Sequence, residues 1–449
     1  MKATLICAAL AAALTAAAPA AAKDQPLARA SFTARSAAEA KLALTASAPA
    51  ADWGAAGRES AVLSVALDGR EVASIVTFNG ATPLTYRVAL GRVRAGHHAV
   101  TVRLDRAKSP VDRAEVSAAR PSLAPAGDLV ARYAPILYGR NLPEIPGAYE
   151  NNHTDVPLLA YHTTAADAQG NRTIEYTTIW SNEDGGTNTP ALMARWGRTT
   201  DIEWIYRVTV DRDGNRVSDA YQAANHVTKA FDGAREDDHP LLQTATANNN
   251  TAAVTDPATA SGYRFFLDTA QALPAGAARE QVMDANPWSY QVMAKEMIRE
   301  GKVEPVASPD TPEMSDQRDY LFAVLKKTTA YAAPPAAGSW AGTALAVKLK
   351  GSDRWYTSHH GVPDWSLQRD VPAATTVELP PGTRATDVVA VKAIAVPVGL
   401  PGDYRITVTG INRGFFLGQD FLPQRSFLQW TGSAALTPQQ PEAVLWTAA

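Results

Sequence analysis

The chain has 449 residues, a formal net charge of −3 and a single cysteine. Its 42 lysines and arginines nearly balance its 45 aspartates and glutamates and are spread along the chain, a distribution that argues against a nucleic-acid-binding role. This length suits two or three domains, because single domains usually run to about 100–200 residues.

The first 22 residues have the pattern of a secretory signal peptide. Lys2 precedes an apolar run from Leu5 to Ala22, and the small residues at its end suit cleavage near Ala22. Cys7 lies in this segment, so we expect a mature chain without disulfides or thiolate metal ligands. No later stretch approaches the ~18 consecutive apolar residues of a membrane-spanning helix. We therefore predict a bacterial protein that is periplasmic or secreted.

Residues 23–121 have the pattern of a small β-sandwich. Short segments of alternating apolar and polar residues follow one another at similar spacing, with turn residues between them. Asp68-Gly69 is a strong two-residue hairpin signal between two of these segments. A stretch rich in Pro, Ala and Gly, residues 118–128, resembles a linker to the next domain.

Residues 122–332 form the predicted central domain, which is also rich in strands. TIEYTTIW (173–180) and DIEWIYRVTVD (201–211) are its clearest strand patterns. Asn286 as N-cap, Pro287 at the first helical position and Gly301 as the stop delimit a helix. SDQRDYLFAVLKK (315–327) fits either a second helix or a buried strand.

Residues 333–449 again alternate short strand patterns with Gly and Pro, which predicts a C-terminal β-sandwich. WYTSHHGVPDW (355–365) places two adjacent histidines between aromatic residues that either stack on sugar rings or fill the core. The predicted fold class is mainly β, with several β-sandwich domains and one or two helices inserted in the central one.

Asp201 and Glu203 are the most suggestive acids in the chain. Strict strand alternation places them on one face with Arg207, about 7 Å apart, and turns Ile202 and Trp204 to the core. Two carboxylates with neutral oxygens suit Ca²⁺ or Mg²⁺, and Asp184 in the preceding loop is a candidate third ligand. The alternative, favoured by spacing alone, is a solvated acidic face on which Glu203 pairs with Arg207.

The surrounding segment, residues 130–250, resembles the Vps62-like and necrosis-inducing (NLP-type) β-sandwich proteins. The hallmark motif of that group is GHRHDWE, and Gly197, Asp201 and Glu203 match it at the right spacing. Residues 198–200 and Ile202 differ from it, so both motif histidines are absent. The resemblance implies a β-sandwich and a divalent metal held partly by the matched Asp and Glu.

The segment ENNHTDVPLLAYH (150–162) concentrates side chains used for proton transfer, although a loop that satisfies its own backbone explains it equally. The candidate catalytic residues share ionisable side chains in or beside the predicted strands: Glu203, His153, Tyr161 and His226. The candidate ligand-binding residues are polar, charged or aromatic: Asn152, His153, Asp155, Trp180 and Arg207.

The sequence therefore predicts an exported protein that binds an envelope or extracellular glycan or glycolipid, with a divalent cation and no organic cofactor. The alternative is a polysaccharide-acting enzyme, a glycoside hydrolase or lyase, that uses carboxylates with His or Tyr. No G-x-S-x-G, H-E-x-x-H or G-x-x-x-x-G-K-[ST] motif is present, so serine hydrolase, zinc protease and nucleotide-dependent chemistry have no support.

Overall fold

The computed structural model describes residues 25–140, 152–183, 188–400 and 404–448. Within them, strands greatly outnumber helices and are arranged in several, mostly antiparallel, sheets. The predicted fold class, β-sandwiches with a few helices inserted centrally, is confirmed. The predicted signal peptide lies outside the described residues.

The N-terminal region is a sandwich of two antiparallel sheets. The four-stranded sheet has the order β1-β6-β3-β4 and the three-stranded sheet the order β5-β2-β7. Asp68 and Gly69 adopt φ of 50° and 85° and close the β3–β4 hairpin, as their sequence predicts. The strands of this region are β1 (Ala28–Ala34), β2 (Ala38–Ser47), β3 (Val62–Leu67), β4 (Arg70–Val76), β5 (Leu84–Val93), β6 (Gly96–Leu104) and β7 (Glu115–Leu123).

The central region contains a five-stranded antiparallel sheet with the order β13-β12-β11-β10-β9 and a smaller sheet with the order β14-β15-β8-β17. Strand β16 pairs with β15 beside the smaller sheet. The strands are β8 (Ile136–Tyr138), β9 (Pro157–Ala166), β10 (Arg172–Trp180), β11 (Asp201–Val210), β12 (Arg216–Ala223), β13 (Val227–Ala230), β14 (Arg235–Glu236), β15 (His239–Thr244), β16 (Thr251–Ala253) and β17 (Arg264–Phe265).

Helices occur around this central region. They are α1 (Leu129–Arg132), α2 (Thr189–Trp196), α3 (Gln281–Ala285) and α4 (Trp288–Arg299). The predicted helix is α4, and Gly301 follows its end with a φ of 66°. No helix in the described ranges has the length and apolar character needed to cross a membrane.

The C-terminal region is a sandwich of two four-stranded sheets with the orders β21-β18-β23-β24 and β20-β19-β22-β25. Its strands are β18 (Tyr320–Tyr331), β19 (Trp340–Leu349), β20 (Trp355–Thr357), β21 (Ala373–Glu378), β22 (Val388–Val398), β23 (Tyr404–Phe415), β24 (Trp430–Leu436) and β25 (Glu442–Thr447). The ambiguous segment 315–327 thus contains strand β18, whose pairing with β21 and β23 starts this sandwich before the expected boundary at residue 332.

Three large hydrophobic cores and one small cluster hold the described parts of the chain together. One is continuous from the N-terminal sandwich through the central sheets, and a second fills the C-terminal sandwich. The third joins one part of the five-stranded sheet to α3, α4 and the C-terminal sandwich through Ile202, Met283, Met293 and Phe322. The end of the five-stranded sheet that carries Asp201 therefore lies against packed neighbours and does not project into solvent.

Candidate functional site

A β-bulge decides where the two predicted acids point. The register between β10 and β11 shifts at Ile205, so that Tyr176 faces Tyr206 but Thr177 faces Trp204. Ile205 and Tyr206 consequently both reach the first core. Trp204 is turned to the same side as Arg207, whose guanidinium lies 4.5 Å from the centre of its ring.

The predicted pairing of Glu203 with Arg207 is therefore wrong, because the extra residue turns these side chains to opposite faces. Arg207 instead forms an ion pair with Glu175 on the neighbouring strand. The prediction of a solvated acidic face is also wrong. Asp201 is only 1% exposed, and Glu203 is half-buried. The acids lie at a polar site inside the protein.

The backbone that carries Asp201 is fixed by Gly197. This residue ends α2 with a φ of 64°, in the left-handed region that favours glycine. A Cβ atom here would approach the Ala374 side chain at 2.9 Å and the Thr375 backbone nitrogen at 3.0 Å. The glycine of the matched motif therefore has a structural reason: it lets the chain turn against β21 and enter β11.

Asp201 shares its buried environment with Glu183 and Arg198. The Nη1 atom of Arg198 lies 3.6 Å from Glu183 Oε2, and its Nε atom lies 3.4 Å from Glu280 Oε1. Burial raises the pKa of Asp201 well above its ordinary value, and the negative charges of Glu183 and Glu203 raise it further. Arg198 only partly opposes this shift in pKa. The Asp201 carboxyl therefore holds its proton more tightly than an ordinary aspartate does.

Glu203 connects the buried acid to the surface. Gln222 Nε2 donates to Glu203 Oε2 at 2.5 Å and lies 2.7 Å from His226 Nδ1. His226 Nδ1 is also 3.7 Å from Glu203 Oε1, and the imidazole is about half exposed. His226 Nε2 lies 3.3 Å from the side-chain amide nitrogen of Asn248. We call Glu183, Asp201, Glu203, Gln222 and His226 the carboxylate cluster.

Two acceptor oxygens of the carboxylate cluster are buried without a hydrogen-bond partner among the described residues. They are Asp201 Oδ2 and Gln222 Oε1, although the Asp201 carboxyl is also hydrogen-bonded to the Glu183 side chain. The orientation of the Gln222 amide is fixed because its nitrogen must face the Glu203 carboxylate. Buried acceptors without donors are costly and uncommon, and Gln222 Oε1 is one of them.

The loops beside the carboxylate cluster hold strained backbone. Asn225, His226 and Asn249 are all non-glycine residues with left-handed φ, of 59°, 57° and 49°. Asn250 Oδ1 accepts from the His226 backbone N–H at 3.4 Å, which joins the two strained segments. Such conformations cost about 1–3 kcal/mol each and concentrate at functional sites.

A buried network that the sequence did not suggest supports the same loops. Arg140 is ion-paired with Asp155 and also donates to the side chain of Asn249. Asn249 in turn donates to the Asn182 carbonyl at 3.1 Å. The Asn182 side chain donates to Glu300 Oε1 at 2.8 Å. Because these partners are far apart in sequence, no local pattern signals them.

The remaining predicted residues have mainly structural positions. Asn152 and Arg140 exchange hydrogen bonds that hold their chain segments together, and Trp180 is buried in the first core. Tyr161 is buried in the third core, where burial raises its pKa to about 12. Burial lowers the pKa of His153, which lies near Glu59 and Arg299 and away from Asp201.

The predicted metal ligands are only partly placed together. Asp201 and Glu203 belong to the carboxylate cluster, whereas Asp184 lies outside the described residues. Within residues 25–140, 152–183, 188–400 and 404–448, no three His, Cys, Asp or Glu side chains form a ready metal-binding group. A cation at this site would need the amide oxygen of Gln222 in addition to carboxylates.

Comparison with known proteins does not assign the chain to a family. No family model matches it, and no curated protein matches it significantly. The EclA C-terminal domain, a sugar-binding protein, is 13% identical over 22% of this chain and 68% of its own, with a TM-score of 0.18. A lectin from Pleurotus ostreatus in complex with GalNAc is 10% identical over 94% of this chain and 88% of its own, with a TM-score of 0.11. At these TM-scores neither likeness carries an argument, and the resemblance to Vps62-like proteins stays a prediction.

Proposed function

We propose that the protein is exported and that its carboxylate cluster binds a glycan or glycolipid together with a divalent cation, Ca²⁺ or Mg²⁺. The observation that supports this best is Gln222 Oε1, a buried acceptor without a donor among the described residues, next to the carboxylate of Glu203. A hard cation or the hydroxyl groups of a sugar would satisfy such an oxygen.

The charge of the carboxylate cluster favours a cation. Glu183, Asp201 and Glu203 contribute three carboxylates, whereas the nearest guanidinium, Arg198, is shared with Glu280. Carboxylate and amide oxygens are the ligands that Ca²⁺ and Mg²⁺ prefer. With both motif histidines replaced, the set of oxygen ligands favours these ions over zinc. A bound cation would neutralise the carboxylates and orient neighbouring sugar hydroxyls.

Glycan binding is expected to depend on Asp201 and on the cation together. The wild-type protein should bind one group of glycans on an array in Ca²⁺ or Mg²⁺, and EDTA should weaken this binding at least tenfold. Asp201→Asn should bind as weakly as the wild type in EDTA, since it removes a charged ligand while keeping the shape of the side chain. Asp213→Asn, in the exposed turn after the same strand, is the matched control and should behave as the wild type. Equal binding by Asp201→Asn and the wild type would refute the proposal.

An enzyme that acts on polysaccharide is the second candidate. The raised pKa of Asp201 beside the half-buried Glu203 is the kind of difference between two carboxyl groups that general acid catalysis uses. His226 is close enough to assist Glu203, whereas the burial of Tyr161 in the third core makes it a poor proton donor. Appearance of new reducing ends, or of ultraviolet-absorbing unsaturated products, from a polysaccharide panel would favour this candidate over binding alone.

A further inference from the structure

A cavity of about 310 Å³ lies in the C-terminal sandwich. Its walls come from the loop 309–312, strand β20, the single helical turn Pro363–Trp365 and the end of strand β21. The segment WYTSHHGVPDW supplies much of this wall. The cavity contains none of the residues of the carboxylate cluster and has a size typical of small-ligand sites.

Glu378 provides a buried acceptor in this cavity. The residue is 1% exposed, and the Ser315 hydroxyl donates to its Oε1. Its Oε2 makes no hydrogen bond of good geometry among the described residues, although the Tyr320 hydroxyl also interacts with this carboxyl. The nearest basic group is His360, whose Nε2 lies 3.5 Å away. Glu378 thus lines the cavity with a carboxyl group whose hydrogen bonding a hydroxyl of a ligand would complete.

The loop that places His360 is strained. His360 has a φ of 49°, although it is not a glycine, and Gly361 follows with a φ of 78°. This turn brings the imidazole to 5.7 Å from the Trp365 ring, at an angle of 66°. Left-handed backbone at a non-glycine residue is uncommon and recurs at ligand sites. The strain keeps the imidazole and the indole together beside Glu378.

Two aromatic rings of the cavity, Trp355 and Tyr356, are already in contact with cationic side chains of the protein. Lys392 Nζ lies 4.5 Å from the centre of Trp355, and the guanidinium of Arg354 lies 4.6 Å from the centre of Tyr356. Arg354 is also held by two hydrogen bonds from its guanidinium to Asp310. Since these positions are filled, a cationic ligand would meet like charge here. The cavity is better suited to a neutral ring that carries hydrogen-bond donors.

We propose that this cavity binds a single neutral sugar ring, which packs against Trp365 and donates a hydroxyl group to Glu378. The apolar C–H face of the sugar would cover the indole surface, and its hydroxyl would complete the hydrogen bonding of that carboxyl. This site shares no residue with the carboxylate cluster, so it can be tested independently of the function proposed above.

Calorimetric titration of the full chain with glucose, galactose, mannose and N-acetylglucosamine tests this inference, with glucosamine as the cationic comparison. We expect millimolar or tighter binding of at least one neutral sugar, unchanged by EDTA. Glu378→Met should weaken it roughly 10- to 100-fold, because it removes a charged acceptor and keeps the volume. Trp365→Ala should weaken it about tenfold through lost packing and serves as the second variant if Glu378→Met does not fold. Asp353→Asn, a fully exposed change in the same sandwich, should bind as the wild type.

Four outcomes would overturn the inference. The first is absence of binding of all four neutral sugars by the wild type, and the second is unchanged affinity in folded Glu378→Met. The third is tighter binding of glucosamine than of any neutral sugar, which would identify an amine site instead. Loss of sugar binding in Asp201→Asn but not in Glu378→Met would assign the sugar to the carboxylate cluster and equally contradict this site.

Discussion

Arg299→Met should destabilise the protein by about 3–5 kcal/mol, the usual cost of leaving a buried charge without its partner. The side chains of Arg299 and Glu296 are 1% and 0% exposed and form an ion pair one helical turn apart on α4. Arg299 also donates to the carbonyls of Trp53 at 3.2 Å and Thr154 at 3.0 Å. Burial already raises the pKa of Glu296 well above its ordinary value, and Arg299 is the main group that lowers it. The variant should therefore unfold at a much lower denaturant concentration than the wild type at neutral pH.

The control for this prediction lies on the same helix. Lys295 pairs with the half-exposed Asp52, so Lys295→Met should cost no more than about 1 kcal/mol. Adding Glu296→Gln to Arg299→Met should recover part of the lost stability, because the unpaired carboxylate is removed. If the free energy of unfolding of Arg299→Met lies within about 1 kcal/mol of the wild-type value, the contacts of Arg299 with Glu296, Trp53 and Thr154 do not stabilise the protein as described.

The stability of the wild type should fall with rising pH because of Glu378. Burial raises the pKa of this carboxyl from 4.5 to about 7; Glu304 and Asp319 add to the shift, and the hydroxyls of Ser315 and Tyr320 oppose it. The folded state then binds the proton more tightly than the unfolded state. The stabilisation is complete below pH 4.5 and is lost as the pH rises through about 7. Relative to Glu378→Gln, the wild type should lose up to about 3 kcal/mol across this range.

Denaturant unfolding of the wild type and Glu378→Gln at about pH 5 and about pH 8 measures this difference. His360 also lies beside the carboxylate, and burial lowers its pKa. Glu442→Gln, at a half-exposed carboxylate of the same sandwich, is the control and should show no such pH dependence. A wild-type minus variant difference that is constant between the two pH values would show that Glu378 titrates normally.

Strand β11 shows how far the sequence could predict the site. Its existence and the proximity of Asp201 to Glu203 follow from the pattern DIEWIYRVTVD. Strict alternation predicts the wrong partner for Glu203. The bulge at Ile205 moves the side chains of residues 201–204 to the opposite faces of the sheet from those that alternation predicts. One signal was present: Ile205 is an apolar residue on the face predicted to be polar. A register shift or a buried polar face would each explain it.

Other features depend on contacts that no local pattern contains. The first six residues of β18 are all buried, so its apolar run lacks the periodicity that separates a strand from a helix. Glu183 and Gln222 reach Asp201 and Glu203 from other strands and loops. The sequence could thus predict strands and candidate acids, whereas the partners of those acids depend on the tertiary fold.

Thermal unfolding in EDTA, and then in added Ca²⁺ or Mg²⁺, tests cation binding by the carboxylate cluster most directly. A cation that binds only the folded state must raise the Tm, and a concentration 100-fold above Kd adds about 2.7 kcal/mol. We expect a rise of several degrees in the wild type and in Asp213→Asn, reversed by EDTA and absent in Asp201→Asn. If no divalent cation raises the Tm of the wild type, or if Asp201→Asn shows the same rise, the carboxylate cluster is not a cation site.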